Sequence, residues 1–204
     1  MTTDLSEDNT LTKPDGRNLR TDDSRKKIVS AFLQLIRQGT VAPSAEDIAK
    51  KANVGLRTVF RRFKEMELLY REMVIELENK FAPEVAKPWK TTDMESQLQE
   101  LLERRSVMYE ELMPYRVASN YHKYHSEFIQ QAHAYWNVVV QKNLENILPF
   151  NKSSEPVLFN AIETALSFDT WLQLRIDQNN EPKQSYEIMK LSLSALLQAY
   201  TPSN

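Results

Sequence analysis

The stretch SAEDIAKKANVGLRTVFRRFKEMELL, Ser44 to Leu69, decides how this chain reads. Ser44 follows Pro43, and Asp47 stands three positions on, so a short helix is expected to open here with a reciprocal cap. Ile48, Ala49 and Ala52 give that helix an apolar face. Asn53-Val54-Gly55 then makes a tight turn, because asparagine accepts the left-handed conformation better than other non-glycine residues. A further helix covers about Leu56 to Phe63, with Val59, Phe60 and Phe63 directed inward. Two short helices across such a turn form a helix-turn-helix pattern. The small Ala49 lets the two helices cross closely, Val54 pins the turn, and the second helix presents its N-terminal side chains outward.

Charge is concentrated in the same region. Residues 24–64 carry ten basic side chains (Arg25, Lys26, Lys27, Arg37, Lys50, Lys51, Arg57, Arg61, Arg62 and Lys64) against Glu46 and Asp47, a net of +8. Residues 1–23 net -3 and residues 65–204 net -7, giving the overall -2. A basic segment beside an acidic body points to a polyanion partner for that segment, the alternative being a solvated lysine-rich helix. Upstream, Ile28, Phe32, Leu35 and Ile36 mark a helix from about Ser24 to Gln38, with Ser24 as N-cap and Gly39 as its stop. Residues 1–23 lack an apolar period and read as a disordered arm.

The Ser44–Leu69 stretch resembles the TetR family of bacterial transcriptional regulators. The match rests on Ser44, Ile48, Ala49, Ala52, Val54, Thr58, Val59, Phe60, Phe63, Leu68 and Leu69, and with the preceding helix it covers about residues 24–70. Four positions depart from the family pattern: Asn53 replaces the usual turn glycine, Gly55 the usual serine, Phe60 the usual tyrosine, and Met66 the usual lysine, near which Lys64 can substitute. The resemblance implies an all-α protein with an N-terminal three-helix DNA-binding domain over residues 24–69. A C-terminal helical bundle over residues 70–204 would dimerise and bind an effector. Arg57, early on the recognition helix, suits guanine O6 and N7, with a phosphate contact as the alternative. Leu56 and Thr58 suit a thymine methyl or the backbone, and Arg61 and Arg62 suit phosphates. Phe60 and Lys64 complete the DNA-facing set, and Ser44 can meet a phosphate as well as cap its helix. Arg17 and Arg20 could enter a minor groove or simply be disordered.

The rest of the chain reads as helices over 65–81, 93–112, 115–124, 126–148, 155–178 and 183–200, with Pro83 and Pro114 as stops. The last two are apolar on more than one face, so a paired copy of them would make a four-helix dimer interface. A two-fold dimer would read a pseudo-palindromic double-stranded DNA operator. In the helix over 93–112, Met94, Leu98, Leu101, Arg105, Met108 and Leu112 recur at helical steps, which puts Arg105 on the apolar stripe. A buried arginine needs a partner. Asp169 is the candidate for an ion pair, outward snorkelling of the arginine is another reading, and a small-molecule anionic effector is the sharper alternative. Tyr109, Met113, Tyr121, His125, Trp136, Phe168 and Trp171 are the aromatic and polarisable side chains that could line a ligand site with Arg105. His122 and His125 are three apart, but with three histidines and no cysteine in the chain a metal site is not expected.

Composition excludes several classes. The chain has no cysteine, so disulfide, zinc-finger and thiol chemistry are absent. Three glycines leave no room for a glycine-rich nucleotide loop. No nucleophile-base spacing supports an enzyme, and no cofactor is implied. No apolar run suits a membrane span, and the N-terminus lacks a signal-peptide core, so a cytoplasmic location is expected. The expected function is a ligand-responsive dimeric repressor. The alternative is a helical ligand-binding or interaction module without specific DNA recognition.

Overall fold

The computed structural model describes residues 16–198, with side chains from residue 23 onward. The described residues are all-helical: α1 (Gly16–Arg37), α2 (Ala45–Ala52), α3 (Leu56–Arg62), α4 (Glu67–Val85), α5 (Met94–Lys123), α6 (Glu127–Glu145), α7 (Pro156–Ala165), α8 (Phe168–Leu172), a π-helical turn (Gln173–Asp177) and α9 (Pro182–Gln198). None of these helices is long and apolar enough to cross a membrane.

Two buried clusters hold the fold. The first joins Ile28, Phe32 and Ile36 of α1 to Ile48 and Ala49 of α2, Val59 of α3, Phe63 just beyond it, and Leu69, Tyr70 and Met73 of α4. Ala118 of α5 and Ile129 of α6 complete it, so the N-terminal helices rest on the body. The second cluster gathers Leu98, Leu102 and Tyr109 of α5 with Leu144, Phe159, Ile162, Trp171, Met189 and Leu193. α4 packs into the first cluster through Leu69, Tyr70 and Met73, and Phe81 is buried at its far end. Arg25 of α1 pairs with Glu72 of α4 and stacks on the Phe63 ring, 4.7 Å from its centroid.

The structure corrects five sequence expectations. α1 begins at Gly16, not Ser24, so Ser24 lies inside a helix and residues 16–23 are not a disordered arm. Residues 1–15 and Tyr200 lie outside the described residues, and no side chain is described for Arg17 or Arg20. α4 runs through Pro83 and α5 through Pro114. An interior proline removes one backbone bond and strains the preceding turn. Pro114 is nevertheless flanked by buried Tyr109, Ala118 and Ser119, whose packing holds the helix line. The expected helix over 155–178 is instead broken at Leu166, where Ser167 caps α8 by accepting from the Thr170 N–H at 3.1 Å. The π-helical turn then ends near Asn179, at φ 52°. Finally, Phe60 is 50% exposed and is no part of the core, while Val59 and Phe63 are buried as expected.

Candidate functional site

Two regions collect the candidate residues: the outer face of α3 and a cavity in the body. The first is built by local rules. Ser44 accepts from the Asp47 N–H at 3.1 Å, and the Ser44 N–H donates to Asp47 Oδ2 at 3.2 Å, the reciprocal cap expected from the sequence. The Ser44 hydroxyl also donates to Asp47 Oδ2 at 2.6 Å, so its hydrogen is taken up inside the cap. These bonds hold the Asp47 carboxyl below its usual range. Asn53 closes α2 in the left-handed region (φ 53°, ψ 48°), where its N–H meets the Ala49 and Lys50 carbonyls. Gly55 opens α3 without a side-chain cap.

α3 packs inward through Val59 and Phe63, so its other face is open. Arg57, Phe60 and Arg61 fall on that face at i, i+3 and i+4, all exposed, and exposed Lys64 follows just past the helix end. Leu56 is exposed beside them, and Thr58 is half-buried. Among the described residues, Arg57, Arg61 and Lys64 make no ion pair, whereas Arg25, Arg71, Arg104 and Arg175 each meet a glutamate. Arg62 stands apart: it is half-buried, and its Nε donates to Ser24 Oγ at 3.0 Å, bracing α3 against α1. Met66 is half-buried and packs against the first cluster, which explains the absence of a charge there.

The second region is a cavity of about 610 Å3 between α4, α5, α6 and the α7–α8 junction. Of the expected ligand residues it is lined by Arg105, Tyr109, Trp136 and Phe168. Met113, Tyr121, His125 and Trp171 are not in its lining. Tyr121 and His125 are exposed, and Trp171 is a core residue that donates to Glu110 Oε1 at 2.9 Å. Arg105 is 4% exposed, but Asp169 is not its partner. Its guanidinium donates instead to the Leu166 carbonyl at 3.1 Å and the Val140 carbonyl at 2.9 Å. Tyr109 Oη donates to the same Leu166 carbonyl at 3.0 Å, and its ring meets Phe168 edge-on at 5.2 Å. The break after α7 leaves that carbonyl without a helical partner, and Arg105 and Tyr109 supply one.

The lining residues absent from the expected ligand set include Arg116, Ser119 and His133. Arg116 Nε is buried without a hydrogen-bond partner. Burial pulls its guanidinium below the ordinary arginine value, partly offset by the Asp169 charge. His133 Nε2 lies 3.1 Å from Ser119 Oγ, and its Nδ1 is buried and unpartnered. Burial, then the charges of Arg116 and Lys123, push this imidazole down to about 4. In comparison with known proteins, no family model matches the chain and no curated protein matches it.

Proposed function

We propose that the chain is a ligand-responsive, dimeric DNA-binding transcriptional regulator, a repressor resembling the TetR family. One observation carries the reading: an open α3 face that holds Arg57, Arg61 and Lys64 without a carboxylate partner, on a helix fixed by a left-handed Asn53 turn. Such a face suits a major groove, with Arg57 toward base edges and Arg61 and Lys64 toward phosphates. Arg62 then serves chiefly to fix the angle of α3 through Ser24.

The dimer is proposed through α7 and α9. Val157 is 83% and Leu191 72% exposed on these helices, and Ala195 is exposed as well. A second copy would cover this apolar surface and set two α3 helices on two half-sites.

The response is proposed to run along α4. Met73, Val74, Leu77 and Phe81 line the cavity, while Leu69 and Tyr70 of the same helix hold α1 to α3. Glu67, at the start of α4, accepts from Ser126 Oγ at 3.0 Å and is thereby tied to α6. A ligand that moves α4 would tilt α1 through Arg25–Glu72 and change the spacing of the two reading helices.

A helical ligand-binding module without specific DNA recognition is the second reading. The cavity favours it, since its lining does not involve α3. Duplex binding across a salt series separates the two: a regulator shows a steep fall of affinity with salt, together with a sequence preference that survives at physiological salt.

A further inference from the structure

The cavity contains an unusual pair of unmet groups. Ser119 Oγ has one hydrogen and donates it to the Arg116 carbonyl at 3.1 Å. With that hydrogen on the carbonyl, the hydroxyl accepts from His133 Nε2, 3.1 Å away. In this tautomer the imidazole proton sits on Nε2 and Nδ1 keeps a lone pair. The Nδ1 has no partner, although the His133 side chain belongs to a residue only 8% exposed. One helical turn before Ser119, Arg116 presents its Nε–H, also buried and unmet. Both side chains line the 610 Å3 cavity. The other orphaned polar atoms among the described residues, His122 Nε2 and Ser185 Oγ, belong to residues outside that lining.

The cavity thus offers a cationic donor and a neutral acceptor, close enough for the Arg116 charge to act on the His133 imidazole. Met73, Leu77, Phe81, Leu112, Trp136 and Phe168 supply an apolar wall. The acidic lining residues are Glu163, which is half-buried, and Asp169, which is exposed, whereas Arg105 and the Arg116 Nε are buried. Arg105 is already committed to two carbonyls, whereas Arg116, whose guanidinium lies over the Phe168 ring at 5.7 Å and feels the Asp169 charge, keeps its Nε–H unmet. Buried groups without partners are penalised until a ligand meets them. We propose that the cavity binds an amphipathic anion that carries a hydrogen-bond donor beside its acid group. A 2-hydroxy carboxylate with an apolar tail is the simplest case. The acid group meets Arg116, the hydroxyl donates to His133 Nδ1, and the tail lies along the α4 side chains. This assignment rests on reading the body as the ligand domain.

Isothermal titration of the full chain without DNA tests it, using 2-hydroxydecanoate, decanoate and 1,2-decanediol. The hydroxy acid is expected to bind about tenfold more tightly than either comparator, because each comparator leaves one charged or buried group unmet. Arg116→Met should remove the preference for acid over diol, and His133→Leu the preference for hydroxy acid over decanoate. Circular dichroism checks that each variant is folded, and the three-ligand comparison on the unaltered chain stands without them. Equal binding of diol and hydroxy acid overturns the proposal, as does an undiminished acid preference in Arg116→Met. Equal binding of decanoate and hydroxy acid overturns the role of His133. No binding of any probe at millimolar concentration overturns the whole assignment. Since DNA is absent, failure here leaves the transcriptional reading intact, and failure of duplex binding leaves this result intact.

Discussion

The guanidinium of Arg105 donates to the Leu166 carbonyl at 3.1 Å, across 61 residues of chain. This bond joins the middle of α5 to the point where α7 breaks into α8. A sequence stripe that looked like an apolar helix face with one misplaced charge is in fact the support of a helix break. Arg105→Met should therefore lower stability by about 2 kcal/mol, since it strips a charged donor from a buried carbonyl and leaves only Tyr109 on it. A thermal melt should show a fall of roughly 4–8 °C for a chain of this length. An unchanged melting temperature would show that the break holds without Arg105.

The turn between α2 and α3 makes a second prediction. Asn53 stands at φ 53°, where a β-branched side chain is strongly disfavoured. Asn53→Val should destabilise by about 1–2 kcal/mol, while Asn53→Gly should be close to neutral. Urea unfolding of the two variants side by side checks this, and equal midpoints would contradict it.

Stability should fall as pH drops from about 6.5 to about 4. His133 is held near 4 in the folded chain by burial and nearby cations, but in the unfolded chain it titrates at its ordinary value of 6.5. Between those values the unfolded state binds the extra proton, so acid favours unfolding, and the effect levels off below the folded value. The loss is on the order of 3 kcal/mol. Lowered carboxyls such as Glu67 and Asp47 begin to lose their contribution as pH falls below their ordinary values of 4.5 and 3.8, and lose the rest as it falls through their depressed values. Urea midpoints at pH 7.5 and 4.5 measure the loss, and in His133→Leu most of it should vanish.

If the α7–α9 surface pairs with a second copy, a charge there should abolish the pairing. Leu191→Glu, with or without Val157→Glu, should yield a folded monomer by light scattering, because an unpaired carboxylate cannot be buried in an apolar interface. A dimer that persists in the double variant would place the interface elsewhere.

Local chemistry made the Ser44–Leu69 stretch legible. A reciprocal cap, a left-handed Asn53 and a short apolar period are each set within a few residues, and each is present as expected. The misreadings come from longer range. Pro114 looked like a stop, yet buried neighbours on both sides carry α5 through it. Cutting the helix there separates Tyr115, Arg116 and Ser119 from the rest of the cavity wall on α5. The 4-and-3 step that reaches Leu112 continues to Arg116 and Ser119, the two α5 residues that carry the unmet donor and meet the His133 imidazole. That signal was in the sequence and needed only an uninterrupted helix. The break at Leu166 was harder to read, because its carbonyl is satisfied by residues on a different helix. Phe60 reads both as inward and as DNA-facing, and packing buries Val59 and Phe63 while leaving Phe60 on the open face.

The proposed reading of DNA by the open face of α3 can be checked by selection of bound duplex from sheared genomic DNA of the source organism, at near-physiological salt. The expected result is enrichment of a pseudo-palindrome by the unaltered chain, with Arg57→Ala losing about 1–3 kcal/mol of affinity and relaxing the preference at one position per half-site. No enriched sequence, with binding that only grows as salt is lowered, would contradict the claim and leave the chain as a ligand-binding helical module.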